Sequence, residues 1–146
     1  MSAEERPRAV IVNRCFVQRP KDRKLLIIRR SPTDTNNPNL WEVPGGKVDT
    51  GQDLANAQER EVMEETGLVI QPTARLVTLE SFMITEGKYA GMLYLALFSI
   101  TKLVNGKVTL SQEHTDFAWV TYDQMLTSAL TIEVKKAAIT LEKYLK

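Results

Sequence analysis

The order of segments along the chain predicts an α+β fold, a sandwich built on a mixed sheet with helices packed on it. Three observations carry that expectation. Runs rich in Val, Ile, Leu and Phe occupy both the N-terminal region and the middle of the chain. Between them lies a helix signal with a stop at each end, Asp53 and Gly67. The final stretch repeats apolar residues at helical spacing.

Ala9 to Gln18 reads as a strand, Pro20-Lys21-Asp22 as a turn and Lys24 to Arg30 as a second strand, together a hairpin. Ser31 to Asn39, rich in Ser, Thr, Asn and Pro, reads as a loop. Leu40 to Val43 is a short strand running into Pro44-Gly45-Gly46. Asp53 supplies an N-cap for the central helix and Gly67 its C-terminal stop. Leu68 to Ile84 is strand-like with a break at Gln71-Pro72. Glu86-Gly87-Lys88 turns the chain, and Tyr89 to Ile100 returns as a long apolar strand. Asn105-Gly106, between Leu103-Val104 and Lys107-Val108, predicts a two-residue hairpin. Phe117 to Val120 is a last short strand, and Tyr122 to Leu126 begins a helical segment. Val134, Ala137, Ala138, Leu141 and Leu145 predict a helix from Ile132 to Leu145. With no repeat and no linker, 146 residues suit a single domain over 1–146.

Composition narrows the partners. A net charge of +1 implies no broad basic surface, which argues against a long nucleic-acid duplex. No apolar run is long enough to span a bilayer, so no membrane partner is expected. The N-terminus is charged and lacks the apolar stretch of a secretory signal. Cys15 is alone, so no intramolecular disulfide can form, and a reducing, cytoplasmic setting is expected.

The chemistry concentrates in the central helix. Glu61, Glu64 and Glu65 stand at i, i+3 and i+4 and share an arc of roughly 100° on one face. Like charges so placed repel by a few tenths of a kcal/mol per pair, on the order of 0.2–0.5. A hard divalent cation such as Mg2+ converts that repulsion into attraction. Spacing alone fits a charged surface helix equally well.

The residues around the helix resemble the Nudix box. That pattern is Gly, five residues, Glu, seven residues, Arg-Glu, an aliphatic residue, any residue, Glu-Glu, any residue, Gly, an aliphatic residue. Gly46 opens it here, and Arg60, Glu61, Val62, Glu64, Glu65, Gly67 and Leu68 fall in register. One fixed position departs, because Gln52 stands where the pattern has glutamate. The resemblance implies a Nudix-type alpha-beta-alpha sandwich and hydrolysis of a nucleoside diphosphate linked to another group. It implies Mg2+, or Mn2+ in its place, held by Glu61, Glu64 and Glu65, with a contact from the backbone carbonyl of Gly45. Arg60 would orient a box glutamate, the alternative being a weak surface pair with Glu64. Glutamine at 52 keeps size and hydrogen bonding but loses charge.

Other residues are less specific. Glu113 resembles a loop glutamate that many such enzymes add to the metal shell or use as a base, and reads equally as a solvated loop carboxylate. His114 is the only histidine, which rules out a multi-histidine metal site and leaves a capping or packing role. Arg29 and Arg30 point to opposite faces, and Arg30 aligns better with a phosphate-contacting arginine of MutT-like members. Trp41 packs in the core or stacks on a base. Phe82, Tyr89 and Tyr94 are packing residues, any one a candidate base platform. Cys15, in an apolar strand, is expected to be buried.

The substrate expected from this resemblance is a (d)NTP or modified NTP. The alternatives are diadenosine polyphosphates, ADP-ribose and nucleotide sugars, or a non-catalytic nucleotide-binding module, which only Gln52 favours. RNA-end hydrolases often carry glutamine before the glycine pair, where this chain has Pro44. A homodimer is compatible with the resemblance. Tyr89 to Ile100 is apolar enough for an interface and equally for a core strand.

Overall fold

The computed structural model describes residues 6–73 and 75–145, so the first five residues of the charged N-terminal segment lie outside it. The strands are β1 (Ala9–Gln18), β2 (Leu25–Arg30), β3 (Trp41–Glu42), β4 (Gly45–Lys47), β5 (Val69–Gln71), β6 (Leu76–Met83), β7 (Leu93–Asn105) and β8 (His114–Val120). The helices are α1 (Leu54–Thr66), α2 (Tyr122–Thr127) and α3 (Ile132–Leu141). One mixed sheet joins the strands. At its centre β1 and β7 run parallel from Ala9↔Leu93 to Gln18↔Lys102, while β5 and β6 pair antiparallel with β7. On the other side β2 pairs antiparallel with β8 and β3.

Alternation along the inner strands separates two cores. Val10, Val12 and Phe16 of β1, with Leu25 and Ile27 of β2, face Met125, Val134, Ala137, Ala138 and Leu141 of α2 and α3. Cys15, Val17, Leu26 and Ile28 face Val62 of α1 and Leu68. Helices therefore cover both faces, as expected for an alpha-beta-alpha sandwich. Cys15 is buried at 1% exposure, and burial pushes its thiol up to about 12. No helix among the described residues is long and apolar enough to cross a membrane.

Both caps of α1 form as expected. Asp53 accepts from the Asn56 N–H, and Gly67 takes the left-handed conformation at φ 71°. The β1–β2 hairpin also forms, but the two strands share one register pair, Gln18↔Leu25, before each turns to other partners. Three expectations fail. The Asn105-Gly106 hairpin does not form, because β5 already pairs with the end of β7. Lys107–Ser111 instead caps α1, with Thr109 N–H donating to Thr66 O and Ser111 N–H to Glu65 O. The apolar strand starts at Leu93 rather than Tyr89, because Lys88–Gly91 forms a turn that closes with Gly91 N–H on Ile84 O. The last helix ends at Leu141 and tightens into a 3-10 turn over Glu142–Tyr144. Flanked on both sides, β7 takes the core-strand reading.

Candidate active site

Strand β4 and helix α1 build the first wall. Gly45 and Gly46 take no positive φ; they pair with Arg14 and Asn13 of β1. Glycine is needed there for space. A Cβ on Gly45 would lie 2.1 Å from the Asn13 carbonyl oxygen, and one on Gly46 would lie 2.4 Å from a Glu61 carboxylate oxygen. Close approach lets the Gly45 N–H donate to Glu65 Oε1 at 2.7 Å.

The helix carboxylates have unequal surroundings. Glu65 is 8% exposed. Burial pushes its carboxyl up to about 8 against the opposing Gly45 N–H, with Glu42 and Glu61 adding to the rise. Burial also raises Glu61, against the charge of Arg60 and with help from Glu64, Asp49 and Glu113. Glu64 is exposed and sits 3.4 Å from Arg60. Arg60 is a hub: its Nη2 contacts Glu61 at 2.9 Å, Asp49 at 3.2 Å and Gln52 Oε1 at 3.1 Å. It thus contacts Glu61 and also pairs with Glu64. Gln52 keeps the hydrogen bond to Arg60, and Asp49 brings a carboxylate to the same guanidinium.

A second wall comes from strands distant in sequence. Glu42 is 3% exposed and accepts from Arg30 Nη1 at 2.9 Å and from His114 Nε2 at 2.8 Å. Arg14 Nη1 lies 3.3 Å from it. Burial alone would raise the Glu42 carboxyl, but the His114 hydrogen bond and the Arg14 and Arg30 charges outweigh it and hold it below the usual range. Arg14 also donates from Nε to Glu133, which accepts the Tyr94 hydroxyl as well.

His114 is aimed inward by a bulge. Arg29 pairs with Asp116 and Arg30 with His114, so Thr115 is extra and the alternation of β8 breaks. Asp116 is exposed while His114 is buried. The Ser111 cap on α1 brings this strand start beside Glu65. His114 Nδ1 is 4.0 Å from Glu65 Oε2, and Glu113 joins them in a group whose donor atoms lie within 4.8 Å of one another. Among the described residues no other group of three or more such donors is so compact.

The structure thus brings Glu65 and Glu113 together, holds Glu61 beside Gly46 and leaves Glu64 outermost. Arg30 is committed to Glu42 and Asp34. Trp41 is half buried, packs against the core and hydrogen-bonds through its backbone to Ala129 and Thr131. Neither Arg30 nor Trp41 lines the adjoining cleft, which has a volume of 300 Å³ and walls that include Arg14, Asn37, Glu42, Phe82, Glu133 and Lys136. Glu42 was not foreseen from sequence, and His114 was read only as a capping or packing residue. The available signals were an acid two residues before Pro44 and a lone histidine next to Glu113. The donor set fits a divalent cation, with clustered carboxylates, a cradle that a Cβ on Gly46 would fill and an unpartnered buried nitrogen at His114 Nδ1.

Comparison with known proteins agrees with this picture. The chain is 36% identical over 72 residues to the m7GpppN-mRNA hydrolase NUDT17 of Danio rerio, covering 49% of this chain and 24% of that protein. It therefore spans about a quarter of that relative's length. It is 26% identical over 106 residues to the nucleoside triphosphatase NudI of Escherichia fergusonii, covering 68% of this chain and 74% of that protein. The MutT protein from Methanosarcina mazei Go1 superposes with a TM-score of 0.74 at 26% identity, covering 96% of this chain and 97% of that one. The NUDIX domain matches residues 7–142, almost the whole described chain, and the protein belongs to the Nudix family.

Proposed function

We propose that this protein hydrolyses a phosphoric anhydride bond in a nucleoside diphosphate linked to another group, with a (d)NTP or modified NTP as the first substrate class. Nudix hydrolases generally use a divalent metal; here Mg2+ or Mn2+ is the proposed ion. The observation that carries the reading is the shared wall at Glu42, which lines the cleft on one side and binds His114 beside Glu65 on the other. A nucleotide with its base in the cleft would lay its phosphates toward the carboxylates.

Glu61, Glu64, Glu65 and Glu113 would hold the cation, with the Gly45 carbonyl beside them. The cation, when bound, neutralises anhydride charge and acidifies water at the site. Arg60 fixes Glu61 and Glu64, and the Gly45 N–H fixes Glu65. Such positioning is the main work a protein does in this chemistry. Phe82, half exposed and stacked on Tyr94 with ring centroids 4.5 Å apart, offers a face to a base. Asn37, Glu133 and Lys136 offer polar groups for its edge. A volume of 300 Å³ is at the lower end of small-molecule sites (about 300–1,000 Å³), which suits a single nucleoside.

A second reading follows from the NUDT17 likeness: the group beyond the diphosphate is a capped RNA end. The test is a phosphate and pyrophosphate release screen with Mg2+ or Mn2+. It covers NTPs, dNTPs, oxidised dGTP, ADP-ribose, diadenosine polyphosphates, nucleotide sugars and a m7GpppN dinucleotide, beside Glu64→Gln. Metal-dependent release absent in Glu64→Gln supports the hydrolase and selects its branch. Silence across the panel, with nucleotides still raising thermal stability, would leave a binding module.

A further inference from the structure

His114 does more than pack. Its side chain is 2% exposed, and its two ring nitrogens meet opposite environments. Nε2 lies 2.8 Å from a Glu42 oxygen. The Glu42 carboxylate is also paired with Arg14 and Arg30, so it stands as the acceptor toward the ring. The ring therefore carries a proton on Nε2. A neutral imidazole then presents a bare lone pair at Nδ1, and that atom is buried with no hydrogen-bond partner. It faces Glu65 Oε2 at 4.0 Å, beyond hydrogen-bond range. A lone pair turned toward two carboxylates, Glu65 and Glu113, is an arrangement that only a cation or a proton between them makes favourable. Two donors bound to one ion through bonds of roughly 2.1 Å can stand up to about 4.2 Å apart, so the 4.0 Å between His114 Nδ1 and Glu65 Oε2 admits a shared ion, which the exposed Glu113, in a group spanning up to 4.8 Å, joins by a small side-chain shift.

We propose that His114 Nδ1 is a cation ligand, joining Glu65 and Glu113 in a mixed nitrogen–oxygen site that favours a first-row transition ion such as Zn2+ over Mg2+. This rests on the metal-dependent reading above and changes its choice of ion, from Mg2+ or Mn2+ toward an imidazole-binding transition ion, through one added ligand. Imidazole is a good donor to zinc, iron and nickel and a poor one to magnesium, which prefers oxygen. Glu42 plays the orienting part: a carboxylate on the far ring nitrogen fixes the tautomer and makes the near nitrogen more basic. The bulge at Thr115 supplies the aim.

Because His114 is the only histidine, ring-15N-histidine labelling of the full chain reports on this one side chain. Its burial also removes adventitious capture of metal by a surface imidazole. In metal-stripped protein the expected spectrum has a proton on Nε2, held toward Glu42. Stoichiometric Zn2+ should shift the Nδ1 resonance away from its free lone-pair position while Nε2 stays protonated. Saturating Mg2+ should leave Nδ1 in place. Losing an orienting partner alone costs about 10- to 100-fold in metal affinity, so His114→Gln should weaken Zn2+ by at least about tenfold in calorimetry and change Mg2+ by less than about twofold.

Zn2+ saturation with an unmoved Nδ1 overturns the histidine ligand and leaves metal-dependent hydrolysis standing. Loss of the Nε2 proton in place of an Nδ1 shift when Zn2+ binds overturns it as well. If neither ion binds by calorimetry, the metal reading itself falls. The labelled wild-type protein gives these answers even if His114→Gln fails to fold.

Discussion

Glu64 and Glu65 are adjacent in the sequence and live under opposite conditions. Glu64 is 57% exposed on the outer edge of α1, loosely paired with Arg60 at 3.4 Å. Glu65 is 8% exposed, fixed by the Gly45 N–H at 2.7 Å, and titrates at about 8. One helix therefore offers an adaptable carboxylate and a rigid one. The rigid one is held by β4 and faces β8, while the adaptable one depends on its own helix. The lesson is that membership of one motif does not imply a shared energetic role: Glu64 carries its charge at little cost to the fold, whereas burial disfavours the charged form of Glu65.

The sharpest break would come from the network behind Glu65. Glu42→Ala removes the buried carboxylate shared by Arg14, Arg30 and His114 and should cost about 3–5 kcal/mol in urea unfolding. A loss under about 1 kcal/mol would show that solvent screens the network. The helix pair itself is tested next. Glu64→Gln and Glu65→Gln should each lower turnover on the order of 100-fold or more, comparable to removing one preorganised charge-stabilising group. Their stabilities should differ. Glu64→Gln should stay within about 0.5 kcal/mol of wild type, whereas Glu65→Gln should be the more stable protein above pH 8 without metal.

Acidity separates the two further. The folded-state value of about 8 for Glu65 lies above the ordinary carboxylate range, so between that range and pH 8 the folded state binds the extra proton. Stability in chelator should therefore fall as pH rises through that window, the opposite of the usual carboxylate trend. Glu65→Gln should flatten the slope, and a divalent cation should offset it. Thermal melts from pH 5 to 9 measure this, and an upward slope would contradict it. Glu42, held low by its partners, acts in the other direction and should cost stability as pH falls below the ordinary carboxylate range.

The two glycines of β4 give a smaller contrast. Gly45→Ala drives a Cβ against backbone and should cost about 1–3 kcal/mol. Gly46→Ala meets the flexible end of Glu61, so turnover should fall more than the melting temperature. The smallest effect is at Gln52→Glu. Added charge near Arg60 and Asp49 is partly exposed and should shift stability by less than about 1 kcal/mol. A raised metal affinity in that variant would show that Asp49 does not replace the missing charge.

What the sequence revealed is local. Asp53, Gly67 and the register of the box helix depend on residues a few positions apart, and the structure agrees with each. The Lys107–Val108 strand failed because its partner was decided elsewhere, by β5 taking the edge of β7. The unexpected half of the site is nonlocal in the same sense. Arg14, Arg30, Glu42 and His114 belong to four strands, and nothing in their separate neighbourhoods indicates that they converge. Arg30 fitted a phosphate contact by position, yet its guanidinium is paired with Glu42 and Asp34. A bulge cannot be read from an ordinary run such as His114-Thr115-Asp116, and only the bulge turns the histidine inward.

The parallel ladder at the centre of the sheet has a kinetic consequence. β1 pairs with β7 from Ala9↔Leu93 onward, so β1 waits for a strand made much later. Contacts so far apart in sequence slow folding. During synthesis α1 and its carboxylates emerge before the platform beneath them is complete. A chain stopped ahead of Leu93 would carry β1 with an open, apolar edge, a template for pairing with other chains. Yield and solubility in the cell should therefore depend on how quickly residues 93–102 follow, a dependence set by topology rather than by the chemistry of the site.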